Sequence, residues 1–131
     1  MVKDVNWSFR GWDATGQRGW VYGDLTHGKK VHKDEPYLTD RVMVGGYEVV
    51  PESVSLCTGI KDKKGAMIYG GDIVSVSYEG KHLFNATIVW IDRYGGFLMD
   101  EENEQSYSPI PNDYVTIIGN IYEQGFKDKR E

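Results

Sequence analysis

Apolar residues in this 131-residue chain recur mostly at every second position, in short runs separated by turns rich in glycine. That period sends alternate side chains to opposite faces of an extended strand. In "VNWSF" (5–9), Val5, Trp7 and Phe9 share one face while Asn6 and Ser8 take the other. "DATGQRG" (13–19) reads as a polar turn and "WVYGDL" (20–25) as the returning strand. Thr26 to Glu35 is polar around a "HGKKVHK" core and reads as an exposed loop. "RVMVGGYEVV" (41–50) has hairpin form, with Gly45-Gly46 supplying the positive φ of a tight turn. Pro51 stops its second strand, since proline has no amide to donate.

The stretch "GIKDKKGAMIYGGDIVSV" (59–76) joins two turn signals to two strand signals. Asp62 to Gly65 forms a turn, "AMIY" a short strand, and Gly70-Gly71-Asp72 a sharp bend. Val74, Val76 and Tyr78 then alternate with Ser75 and Ser77, and "EGK" (79–81) turns the chain again. "ATIVWID" (86–92) is apolar on both faces, Ile88 and Trp90 on one, Val89 and Ile91 on the other. This predicts a central strand covered on both sides, with Trp90 buried. "RYGG" turns into "FLMD", and "EENEQ" (101–105) turns into "SYSPI". "VTIIGNIY" (115–122) closes the series, and Gly119 marks a bend or a close backbone approach. The tail 123–131 has the look of a frayed helical turn, and no segment keeps a helical period over ten residues. The strand order after Gly71 is that of a small SH3-like barrel. The predicted fold is therefore all-β and a single domain over 1–131. Its C-terminal SH3-like barrel or half-barrel, about 57–124, packs against an N-terminal β-layer, about 1–56.

Composition fits this picture. Seventeen aromatics favour strands, and sixteen glycines favour turns. A formal charge of −5 disfavours extended phosphate-backbone binding, which needs surplus Lys and Arg. Cys57 is the single cysteine, so an intramolecular disulfide is excluded. Neither a signal-peptide run nor eighteen consecutive apolar residues occurs, so a cytoplasmic location and no membrane contact are expected.

Candidate chemistry is sparse. A phosphate loop needs a glycine-rich turn, Lys-Ser/Thr and a helix start, whereas here the paired glycines precede an acid and a strand. The reading that fits is Asp72 bonding nearby turn amides and fixing the strand's entry. A Cys–His pair would need Cys57 beside His27, His32 or His82, but Cys57 sits in the apolar-flanked "SLCTG" and reads as core. No zinc or calcium spacing is present, so neither catalytic residues, metal nor cofactor is expected. Aromatic recognition is the better lead: Tyr78, Trp90, Tyr94 and Phe97 fall around the turns "YEGKH" and "DRYGGF". Of these, Tyr78 and Tyr94 are expected on the surface.

Residues 49–74, "VVPESVSLCTGIKDKKGAMIYGGDIV", are similar to the YopX family of phage and prophage proteins. The likeness extends to "FRGWD" (9–13), which matches an Arg–x–Trp–Asp strand near that family's start, and to the closing "VTIIGNIYE" (115–123). The chain departs from the family's pattern at Gly70, where an acid often precedes Gly-Asp, and at Leu56-Cys57, where a Gln/Tyr-like pair is common. The resemblance implies an all-β protein encoded by a mobile element, with no established activity and hence no catalytic residues to carry over.

Together these readings predict a non-enzymatic phage- or prophage-derived accessory protein of the host bacterial cytoplasm. It would act as a protein–protein interaction module on an unidentified host or phage protein, with self-association into a homo-oligomer as a further option. The alternative is a nucleic-acid-associated β-barrel reading single strands through Lys29, Lys30, Lys33 and Arg41 with nearby aromatics.

Overall fold

The computed structural model describes residues 8–31, 33, 38–101 and 106–123. Among these, twelve strands form three antiparallel sheets, and the helical elements are three single 3-10 turns. The first sheet takes β1 (Phe9–Trp12), β2 (Trp20–Gly23), β6 (Ser55–Lys61) and β7 (Met67–Tyr69), in the order β2-β1-β6-β7. The second is a ribbon of β3 (Leu25–Val31), β4 (Leu38–Val44) and β5 (Tyr47–Glu48). The third takes β8 (Asp72–Tyr78), β9 (Lys81–Ile91), β10 (Gly96–Glu101), β11 (Tyr107–Ser108) and β12 (Val115–Asn120), in the order β11-β10-β9-β8-β12. None of the three closes into a barrel among the described residues.

The turn chemistry read from the sequence accounts for most of these joints. Asp13 organises the β1–β2 turn, accepting from the amides of Thr15 at 3.2 Å and Arg18 at 3.1 Å. Gly45-Gly46 joins β4 to β5, with φ of 61° and 87°. Gly119 does interrupt β12, where its pairing with β8 skips between Ile117 and Gly119.

Two cores result. Ile68 of β7 enters the larger one with Val74, Val76, Ala86, Ile88, Met99 and Val115 of the third sheet. Val21, Val44 and Val49 form the smaller one, with Phe9, Leu25, Val42 and Val54 packed on it. Each fully buried Val or Ile contributes about 1.5–3 kcal/mol. β7 pairs with β6 while sending Ile68 into the larger core, and so binds the first sheet to the third.

Three expectations are corrected. Residues 26–31, read as the start of a loop, form with Leu25 a full strand paired with β4 from Leu25↔Val44 to Val31↔Leu38. The period was invisible because both faces of this ribbon carry polar residues and stand in water beyond its base. β9 is central, as expected, but it is not covered on both sides: Val89 and Ile91 are half-buried and Trp90 is 52% exposed. At the strand's end the neighbouring sheet no longer reaches over Trp90. The strand placed at 5–9 becomes β1, beginning at Phe9, and residues 5–7 lie outside the described ones. The tail beyond Glu123, most of the "EENEQ" turn and His32 lie outside them too.

Candidate functional site

The Gly70-Gly71-Asp72 corner stands where the first and third sheets meet. Its amides are already spent: Gly70 donates to Leu56 O at 3.2 Å and Gly71 to Ile88 O at 2.8 Å. In the preceding turn, Lys64 and Ala66 each donate to Asp62 Oδ1 at 2.9 Å, and Lys63 donates to Val115 O at 3.0 Å. A phosphate would find no convergent donors here. Gly71 has φ of 88°, and a Cβ there would lie 2.6 Å from the Tyr122 ring, so the position demands glycine.

Asp72 is the anchor of this corner. Its Oδ2 accepts the Tyr69 amide at 2.8 Å, the turn bond expected of it. Its Oδ1 lies 2.7 Å from Arg10 Nη2, an ion pair from β1 to β8 with both side chains buried. Arg10 Nε donates to Ser55 Oγ at 3.1 Å and Nη2 to Gly70 O at 3.4 Å. The guanidinium lies 4.4 Å from the centre of the Trp20 ring and 4.9 Å from that of Tyr69. Burial pushes the Asp72 carboxyl above its ordinary value, and the Arg10 charge only partly offsets it. Arg10 was legible in "FRGWD", but its partner was not, because nothing local in the sequence links the two positions.

Asp62 makes a second tie. Its Oδ2 accepts the Ile117 amide of β12 at 3.1 Å. Burial works to raise this carboxyl, but the Ile117, Ala66 and Lys64 amides outweigh it and hold the group below its ordinary value. The buried acids Asp13, Asp62 and Asp72 are thus bound to backbone amides.

Two clefts flank the corner. One, of about 440 Å³, is walled by Arg10, Trp20, Tyr22, Tyr69 and Asp72. There Arg10 and Asp72 are committed to each other, the Trp20 and Tyr69 rings lie against Arg10, and Tyr22 packs on Tyr69 with centroids 5.6 Å apart. The other, of about 490 Å³, is an apolar groove with Gly70 and Gly71 on one side. Val54, Leu56, Trp90, Phe97 and Ile121 supply its surface. Trp90 and Phe97 are cross-strand partners whose rings meet edge to face, with centroids 5.2 Å apart. The Phe97 ring rests on Gly70, where a Cβ would come within 2.9 Å of it. Trp90 Nε1 donates to Asp92 Oδ1 at 2.6 Å, which fixes the indole at the rim.

The four aromatics read from the sequence do not form one patch. Trp90, Tyr94 and Phe97 gather at the β9–β10 turn, whereas Tyr78 pairs with Lys81 at the opposite end of β9. There Tyr78 packs on Tyr114, with centroids 5.4 Å apart. Tyr78 and Tyr94 are exposed and Phe97 is half-buried. The sequence reading missed Leu56 and Ile121, which face the aromatics only once the sheets are packed.

Other chemical candidates are dispersed. Cys57 is buried in β6, with its Sγ 3.4 Å from the Ser8 amide. His27 and His82 are exposed on β3 and β9. Among the described residues, no three of His, Cys, Asp and Glu gather as metal ligands, and no helix is long and apolar enough to cross a membrane. The basic set of the nucleic-acid reading lies on the β3–β4 ribbon. There Lys29 pairs with Asp40, Lys30 lies 3.6 Å from Glu48, and Arg41 is half-buried.

Comparison with known proteins agrees with the sequence resemblance. No curated protein matches the chain. Among solved structures it is similar to the crystal structure of protein EF1440 from Enterococcus faecalis, at 22% identity and a TM-score of 0.51. That likeness covers 98% of this chain and 100% of the other, and it concerns the fold. Residues 8–126, β1 through β12 and the corner between them, match the family described as YopX protein, and the chain belongs to that family.

Proposed function

We propose that this chain is a non-enzymatic accessory protein of phage or prophage origin, acting in the bacterial cytoplasm as a protein–protein interaction module. The observation that carries the reading is the apolar groove beside the Gly70-Gly71 corner, with Trp90 and Ile121 more than half exposed at 52% and 53%. A rim aromatic over a small apolar cleft is what a partner's side chain fills at an interface core. The buried acids are tied to backbone amides, which leaves them poorly placed for proton transfer. The phage setting rests on the family resemblance. Within the module we read the third sheet as an SH3-like half-barrel. Its strand order and the 3-10 turn Asn112–Tyr114 just before β12 support that reading. The nucleic-acid alternative has less behind it, since Lys29 and Lys30 face acids on their own ribbon.

The test is capture from lysates of phage-infected cells with the full chain immobilised, followed by mass spectrometry. A specific protein retained by the wild type and by Tyr78→Ala, but lost with Trp90→Ala and Ile121→Ser, is the expected result. Equal retention by the groove variants, or none by the wild type, would count against the reading. A salt-sensitive shift of single-stranded DNA or RNA would favour the alternative.

A further inference from the structure

The cleft of about 440 Å³ beside the buried ion pair has walls from two sheets. Trp20 and Tyr22 of β2 and Tyr69 of β7 bring aromatic rings to it, and β12 brings Gly119. Two buried polar atoms of its lining residues have no hydrogen-bond partner among the described residues. Trp20 Nε1 is a donor, and Asp72 Oδ1 is an acceptor that meets only the Arg10 charge. Such atoms destabilise a fold, and native structures keep few of them. Gly119 adds an independent observation. Its φ lies outside the left-handed region, and a Cβ there would meet no described atom within 4 Å. Neither backbone conformation nor crowding demands glycine at 119, and the missing side chain leaves bare strand on the cleft wall.

We infer that this cleft binds a nucleobase, its ring lying between Tyr22 and the bare backbone at Gly119 and its edge bonding Trp20 Nε1 and Asp72 Oδ1. Every base carries an acceptor next to a donor along one edge, the complement of an indole N–H beside a carboxylate oxygen. Both protein atoms flank one guanidinium: Arg10 lies 4.4 Å from the Trp20 ring centre, and its Nη2 is 2.7 Å from Asp72 Oδ1. The Tyr22 ring, 54% exposed and tilted on Tyr69, offers a surface for stacking. The cleft's volume also falls within the roughly 300–1,000 Å³ of small-molecule sites. A peptide amide has the same acceptor and donor but no ring to fill a slot between an aromatic face and bare strand. Charge speaks against a phosphate: Arg10 is the one cation of the described lining and is committed to Asp72, while Glu123 adds a second acid. The base is thus the recognised group, on a free nucleoside or in a single strand. This goes beyond the interaction reading above and rests on neither the Trp90 groove nor the lysines of the ribbon.

Proton–nitrogen NMR of the isotope-labelled full chain tests this, with adenosine, guanosine, cytidine, uridine and a short single-stranded oligonucleotide as probes. The Trp20 indole N–H signal, assigned by its loss in Trp20→Phe, moves to saturation. That of Trp90, already donating to Asp92, stays in place. Trp20→Phe keeps an aromatic ring and removes a donor that has no partner among the described residues, so circular dichroism should show the wild-type fold. Gly119→Val fills the slot at a position that accepts a side chain. By calorimetry each variant weakens the best-binding probe about tenfold or more. Tyr78→Ala, at the far end of β9, binds like the wild type. Binding of nucleosides assigns the base to the free pool, and binding of the oligonucleotide alone assigns it to a strand; both support the inference. A Trp20 signal that no probe moves overturns it, as does wild-type affinity in Trp20→Phe and Gly119→Val. Protein capture through the Trp90 groove is untouched by either variant, so the two readings fail separately.

Discussion

Arg10 is buried with its charge against Asp72 and its guanidinium beside two rings, so its removal leaves a carboxylate stranded away from water. Breaking one side of such a pair costs about 3–5 kcal/mol, whereas replacing both partners by apolar residues of similar volume is often near neutral. Arg10→Ala is therefore expected to lower the urea-unfolding free energy by about 3–5 kcal/mol. Arg10→Met combined with Asp72→Leu should lose much less. If the single variant unfolds at the wild-type midpoint, the pair does not hold the sheets together.

Among the elements, β12 is an edge strand guarded by a turn rather than by another strand. Val115 O and Ile117 N point away from β8, and they meet Lys63 N and Asp62 Oδ2 of the β6–β7 turn. An unguarded edge would offer those groups to any passing strand. Asp62→Ala removes the acceptor of three amides and is expected to destabilise by roughly 1–3 kcal/mol. The sharper readout is amide exchange: Ile117, Lys64 and Ala66 should lose protection together, while Ile88 within the third sheet keeps its own relative to the new global stability. Unchanged exchange at Ile117 would mean that the carboxylate does not cap the edge.

For the molecule as a whole, stability against pH follows from acids pulled in opposite directions. Asp62 and Asp13 are held below their ordinary value of 3.8, in each case because hydrogen bonds outweigh burial. Asp40 is held below it by Lys29. A folded-state value below the unfolded one gives stability that is present above about pH 4 and is lost as pH falls through the folded value. Asp72 acts the other way: its raised value favours the fold at low pH and withdraws that contribution as pH climbs past its ordinary 3.8. Three depressed groups against one raised predict net acid destabilisation below about pH 4. Urea midpoints measured from pH 3 to 7 should fall on the acid side, and Asp62→Asn should flatten the slope. A profile that rises toward pH 3 would contradict this balance.

Much of the fold was legible in the chain itself. Strand alternation, the Gly45-Gly46 turn, the Gly119 interruption and the Asp72–Tyr69 turn bond are local, since residues a few positions apart decide them through sterics and hydrogen bonding. The family likeness of 49–74 was written there too. The strand β3 escaped notice because a ribbon wet on both faces leaves no apolar period to read. Trp90 was misplaced for the complementary reason: its sequence surroundings are those of a core strand, but burial depends on how far a neighbouring sheet extends. Packing alone set Arg10 against Asp72 and Asp62 against Ile117, and it opened the groove between Leu56 and Trp90. Such pairs lie far apart along the chain, and only the docking of one sheet on another chooses among the partners that local chemistry allows.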